Sequence, residues 1–278
     1  MKTAFLQTVL GEVEFSQCLD TIVQAGAEGV GLCYRTAEEA ARLGDPAYAA
    51  EIGALVNRAG AAVCGLHLGV LCETPALIAP GEILRSQELI RRAVDTASHL
   101  GGPDVIVPFF ARNRIEFPKE FDAAKKALSD VAPMAEDHGV VLAIESTMHL
   151  DQLQAFLDWC GSEAVKACVD TGEIRACRYD PTGMIVALGR QQIAQIHLRD
   201  VRVAKHVAPD FNVRLGGGDV NFDSIAHALR SLEYDGWLVL ETPPGDGGVA
   251  FASGCVHWAR RLLSPRLPDA PEAAGAET

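Results

Sequence analysis

The stretch IAQIHLRD, residues 193–200, runs through apolar side chains to His197 and turns polar at Arg199 and Asp200. A short apolar run of this kind reads as a strand buried on both faces that delivers one polar group at its C-terminal end. Three other runs share the design with a carboxylate in place of the imidazole: VVLAIES with Glu145, AVKACVD with Asp170 and GWLVLE with Glu241.

The same type of run recurs along the whole chain, at 3–8, 29–33, 62–68, 104–109, 140–145, 165–170, 192–198 and 237–241. Between the runs lie amphipathic segments. Phe15, Leu19, Ile22 and Val23 mark the inner face of the first, and Phe121, Ala124, Leu128, Val131 and Met134 that of another. Alternation of buried strands with helical segments predicts parallel strands joined by crossovers. Eight pairs in 278 residues predict a closed (β/α)₈ TIM barrel of the α/β class with its helices outside. An open doubly wound sheet would more often carry a G-x-G-x-x-G turn after its first strand, and none follows 3–8. One catalytic domain is expected over 1–263. The remainder, 264–278, reads SPRLPDAPEAAGAET, lacks apolar periodicity and is expected to be disordered.

A hydrophobic fraction of 49% supplies a large core, and a net charge of −13 repels polyanions, so nucleic acid is not an expected partner. The N-terminal MKTAFLQTVLGEVEF meets Glu12 and Glu14 at once and lacks a small-residue cleavage pattern. No apolar run approaches the ~18 to 20 residues that span a bilayer. These features predict a cytoplasmic protein with no membrane association. Eight cysteines occur without a C-x-x-C pair, so most are expected to be buried free thiols, Cys64 and Cys168 within strands.

In a barrel of this type catalytic groups project from the C-terminal ends of strands. Glu145, Asp170, His197 and Glu241 would end four consecutive strands about 4.8 Å apart and converge near the mouth. Three carboxylates and an imidazole suit a divalent ion that prefers oxygen, Mn²⁺ first, then Mg²⁺, Co²⁺ or Zn²⁺. Each residue also has a plainer reading: Asp170 as the acceptor that opens a turn into the next helix, His197 as a satisfied core histidine. A carboxylate at the end of a buried strand, as at Glu145 and Glu241, costs several kcal/mol (roughly) unless paired or coordinated.

The segments GVVLAIES, VDTG, IAQIHLRD and GGGDVNFDSIAHALRSLEYDGWLVLE resemble the xylose isomerase-like barrel superfamily of sugar isomerases and epimerases, which also includes abasic-site endonucleases. The likeness covers the whole barrel, its distinctive motifs lying in the second half. It implies that Glu145, Asp170, His197 and Glu241 are the metal ligands. By likeness to ketose 3-epimerases it implies that Glu145 and Glu241 are also the acid/base pair. Epimerisation beside a carbonyl needs one base on each face of the carbon, and a metal would stabilise the enediolate formed between the two proton transfers. The resemblance also implies a small carbohydrate substrate and a homo-oligomer.

Two positions depart from the pattern. Many relatives carry His or Asn three residues after Asp170, where this chain has Glu173, and Lys-Asp is common where it has Arg199-Asp200. Glu173 either changes the site's charge and substrate or is an acid at a helix start. Arg199 and Arg202 are candidate substrate contacts, as is His67 at the end of the third strand, where a packed histidine is the alternative. Arg112 and Arg114 could hold a phosphate or carboxylate. Gly216, Gly217 and Gly218 either cradle an anion or form the turn before Asp219 as a helix cap, and His149 and Asp151 either line the pocket or enter a helix.

The expected function is a metal-dependent sugar epimerase or isomerase working through an enediolate. The same apparatus acting as a lyase or dehydratase on a keto-sugar or keto-cyclitol is the alternative, followed by a non-catalytic sugar-binding subunit. The endonuclease branch would need more histidine ligands than these strands supply.

Overall fold

Buried apolar runs can satisfy their backbone groups only by pairing with one another, and here the ring closes. In the computed structural model, which describes residues 1–74, 76–245 and 248–264, eight parallel strands form a closed barrel. They are β1 (Lys2–Leu6), β2 (Gly29–Cys33), β3 (Ala62–His67), β4 (Asp104–Phe109), β5 (Leu142–Ser146), β6 (Val165–Asp170), β7 (Ile193–Leu198) and β8 (Trp237–Leu240). Each pairs with its successor, and β8 returns to β1 through Lys2–Trp237 to Phe5–Leu240. Every expected strand is present, with boundaries moved by up to two residues.

The main core lies between sheet and helices. Phe109 packs edge-on against Phe156 of the helix Leu150–Cys160, and Phe156 in turn meets Phe121. Inside the barrel the two-residue alternation places Gln195 below His197 and Cys168 below Asp170. There Ile106, Ala143 and Cys168 form a small separate apolar cluster.

Three expectations need correction. Val23 is exposed because Cys18, with Leu19 and Ile22, fills the inner face of the first helix, Phe15–Gln24. The segment from Phe121 to Met134 is two helices, Pro118–Ser129 and Ala132–His138, with Pro133 in the first turn of the second. The cysteines are free, but only Cys18, Cys64 and Cys168 are fully buried, the other five being half-buried. Of the tail expected to be disordered, all but Ser264 lies outside the described residues. No helix among the described residues is long and apolar enough to cross a membrane.

Candidate metal centre

Register decides which polar strand ends meet. Asp170 pairs with His197 across β6 and β7, so the two stand side by side. Glu145 is the penultimate residue of β5, and Glu241 follows β8 directly, its N–H donating to Leu198 O at 3.1 Å. One ligand atom from each of Glu145, Asp170, His197 and Glu241 lies within 4.8 Å of all the others. Glu145 and Asp170 are 2% exposed and His197 is fully buried.

Two buried atoms in this cluster lack a hydrogen-bond partner: Asp170 Oδ2 and His197 Nδ1. The Asp170 carboxylate divides its work. Its Oδ1 accepts from Gly172 N–H and Glu173 N–H, both at 2.8 Å, which caps the helix Thr171–Ala176. That is the plainer role expected for Asp170, and it leaves Oδ2 to face the cluster. His197 Nδ1 lies 3.2 Å from Glu145 Oε1 and 3.4 Å from Glu241 Oε2 without forming a hydrogen bond to either. A divalent cation would satisfy both orphaned atoms and offset the crowded carboxylates, so the residues fit one. Glu145, Cys168 and His197 form an alternative trio. Burial pushes the Cys168 thiol up to about 12, and a protonated thiol is a poor ligand, so the carboxylate-rich set fits better.

Neighbouring charges hold these groups in different protonation states. Burial alone would raise Glu145, but His67 and His197 outweigh it and hold the carboxyl well below its usual range. His67 Nε2 lies 2.8 Å from Glu145 Oε2. Glu241 is lowered despite burial, first by Arg199 and then by His197. Asp170 moves the other way, raised well above its ordinary value by burial and by Glu241. His197 is raised although burial opposes it, through Cys168 and Glu145. Burial lifts Glu173 to about 7 against the pull of Arg199.

Arg199 enters the same cluster. Its Nη1 lies 3.0 Å from Glu173 Oε1, 3.2 Å from Glu241 Oε1 and 3.6 Å from Asp170 Oδ2, while the guanidinium stacks on Phe211 at 4.1 Å. Glu173 therefore turns toward the centre as Arg199's partner. Asp200 has a different task. Its buried carboxylate accepts from the backbone N–H groups of Val201, Gly216, Gly218 and Val220 at 2.8 to 3.2 Å. The glycine-rich turn does cradle an anion, and that anion is the chain's own Asp200. Gly216 adopts a φ of +82°, and a Cβ on Gly218 would meet Asp200 Oδ1 at 2.3 Å, so neither position tolerates a side chain without displacement. Asn221, rather than Asp219, caps the helix Phe222–Ser231 by accepting from Ser224 N–H at 3.1 Å.

The remaining candidates lie farther out. Arg202 is exposed and closes its own loop, donating to Gly217 O at 3.1 Å and bridging to Asp210. Arg112 and Arg114 are exposed, Arg114 reaching Cys177 Sγ at 3.3 Å. His149 caps the helix Leu150–Cys160, accepting from Asp151 N–H at 3.4 Å. The expectations singled out neither Gln195 nor Asp104, yet Gln195 Oε1 lies 3.2 Å from His197 Nε2. A signal was available: Gln195 is a polar residue in the middle of a strand that is otherwise apolar up to His197.

Comparison with known proteins agrees with this architecture. The chain is 28% identical over 237 residues, 85% of each sequence, to 2-epi-5-epi-valiolone 7-phosphate 2-epimerase of Actinoplanes sp.. Its fold matches the crystal structure of D-allulose 3-epimerase from Methylomonas sp. in complex with D-allulose, with a TM-score of 0.72, 16% identity and coverage of 94% of this chain and 97% of the other. It also matches the IOLI protein crystallised with a zinc atom, with a TM-score of 0.71, 14% identity and coverage of 95% and 98%. The sequence pattern of one family matches residues 19–259, and the chain belongs to it, the xylose isomerase-like TIM barrel family.

Proposed function

We propose that the protein is a metal-dependent epimerase or isomerase of a ketose or keto-sugar derivative, moving a proton beside the carbonyl through an enediolate. The observation that carries this is the convergence of two carboxylates, Glu145 and Glu241, at 3.2 and 3.4 Å from one buried imidazole nitrogen. A divalent ion held by Glu145, Asp170, His197 and Glu241, Mn²⁺ first among the candidates, would supply Lewis-acid stabilisation of charge developing on the substrate oxygens. Glu145 and Glu241 are the two proton-transfer groups: the ionised carboxylate on one face accepts the proton beside the carbonyl, and the one on the opposite face, having taken a proton from solvent, returns one to the same carbon. His67 orients Glu145 through its 2.8 Å contact. Arg199 keeps Glu241 ionised, and with Glu173 it offers a charged donor and an acceptor to substrate hydroxyls.

The test is incubation of metal-loaded protein in D₂O with free and phosphorylated ketoses and keto-cyclitols. Deuterium beside the carbonyl together with a new epimer supports the proposal; a panel without exchange speaks against it. The relative acting on a valiolone phosphate places keto-cyclitol phosphates in that panel. Elimination is the competing reaction of the same apparatus, because Glu173, lifted to about 7 by burial, supplies a further acid near the site. A conjugated enone product would identify it.

Two further outcomes follow from the electrostatics. Asp170 and His197 are both raised, so protons compete with an incoming cation for these two groups. Metal affinity should therefore tighten as pH rises, with proton release visible by calorimetry in buffers of different ionisation enthalpy; an affinity independent of pH would contradict this. Removing Arg199 with Arg199→Ala deletes the main charge that lowers Glu241. The acidic limb of the kcat/KM profile should then move to higher pH by about 1 to 3 units, and an unmoved limb would show that Arg199 does not set the base.

A further inference from the structure

We infer that Gln195, oriented by Asp104, fixes the proton of His197 on Nε2 and so presents a bare Nδ1 to the metal, an inference that rests on the metal-centre reading above. The chain of contacts begins at the far end of the barrel. Asp104, the first residue of β4, accepts from Gln195 Nε2 at 2.7 Å, and Cys64 O accepts from the same nitrogen at 3.2 Å. Both partners are acceptors, so the amide has one sensible orientation. Turning it over would set Gln195 Oε1 against two other oxygens.

With its nitrogen committed downward, Gln195 presents Oε1 to His197 Nε2 at 3.2 Å. An amide oxygen carries no proton. Nε2 must therefore donate, and a neutral imidazole that donates from Nε2 keeps its lone pair on Nδ1, the buried atom that faces Glu145 and Glu241 without a hydrogen-bond partner.

The barrel makes room for this arrangement. A Cβ on Gly65 of β3 would lie 2.4 Å from Ile106 Cδ1 and 3.1 Å from Gln195 Nε2. Gly65 thus leaves the width that a glutamine side chain needs to cross the interior. Gln195 is 1% exposed, and a buried amide is expensive unless its groups are paired, as they are here. Outer partners of this kind hold a ligating histidine in one tautomer and one orientation. Gln195 and Asp104 are positioning residues, since each acts through His197.

The test uses Zn²⁺, which is diamagnetic, with the full-length protein. Histidine ¹⁵N spectra of the Zn²⁺-loaded protein should show His197 protonated on Nε2. Gln195→Met, similar in length but without hydrogen-bonding groups, should bind Zn²⁺ about 10- to 100-fold more weakly. Asp104→Asn, which leaves Gln195 its contact with Cys64 O but removes the anion that fixes the amide, should also weaken Zn²⁺ binding, by a smaller factor. Unchanged Zn²⁺ affinity in both Gln195→Met and Asp104→Asn would overturn the inference while leaving the metal centre standing, whereas a proton found on Nδ1 would take His197 out of the metal centre and overturn both. Failure of the unaltered protein to bind Zn²⁺ would overturn both. If Gln195→Met does not fold, solvent exchange of the His197 Nε2 proton decides the question: slower exchange in the unaltered protein than in Asp104→Asn is expected, and equal rates would contradict the inference.

Discussion

Glu145→Gln and Glu241→Gln are each expected to lower turnover by roughly a hundredfold to ten-thousandfold, the range typical of a lost general acid or base, and to stop solvent deuterium from entering beside the carbonyl. The reason is local. Glu145 sits between the imidazoles of His67 and His197, and Glu241 lies against Arg199, so each carboxylate is kept ionised although burial favours the neutral acid. Glutamine has nearly the same shape but cannot accept a proton at neutral pH. It also weakens the cation site, so metal content must be measured in each variant, and exchange compared at full occupancy. Exchange persisting in both variants under those conditions would remove the acid/base assignment.

Asp200→Ala is expected to cost the fold several kcal/mol, because four backbone N–H groups lose their acceptor and each unsatisfied buried donor costs about 1 to 3 kcal/mol. The carboxylate is 1% exposed, and Gly216, Gly218 and Val220 are drawn to it across the loop between β7 and the helix Phe222–Ser231. Even at the lower end this exceeds most single substitutions, and for a chain of this size it corresponds to a fall in Tm on the order of 10 °C. The same loop carries Phe211, on which Arg199 stacks. Asp200→Ala should therefore also loosen Arg199 and weaken substrate binding in whatever folded protein remains. Thermal unfolding checks the first consequence; a Tm shift under about 2 °C would show that water or relaxation replaces the carboxylate.

The barrel was legible because a strand covered on both faces has little freedom in composition: eight apolar runs had to pair, and parallel pairing needs the crossovers that lie between them. The strand ends were legible for the complementary reason. A carboxylate closing a buried strand needs a partner, and Glu145, Asp170, His197 and Glu241 do come together. What escaped were contacts that depend on barrel radius and loop path. Asp104 and Gln195 are 91 residues apart, and nothing local to either announces the other. Arg199 and Asp200 are adjacent yet point to different tasks, one into the carboxylate cluster and one into a backbone nest, because successive side chains leave a strand end in opposite directions. Asp219 looked like a cap, but it accepts from Val203 N–H at 2.7 Å inside the loop, and the cap falls two residues later, on Asn221. Val23 fits a helical period equally well on paper, and only the packing of Cys18 leaves it outside.

Glu145, Asp170, His197 and Glu241 are expected to hold one divalent ion per chain. Elemental analysis of protein loaded with Mn²⁺ and freed of excess ion tests it most directly. One ion per chain in the unaltered protein, lost when Asp170→Ala and His197→Ala are combined in a variant that remains folded, is the predicted result. Absence of stoichiometric metal from the unaltered protein, or full retention in the double variant, would contradict it.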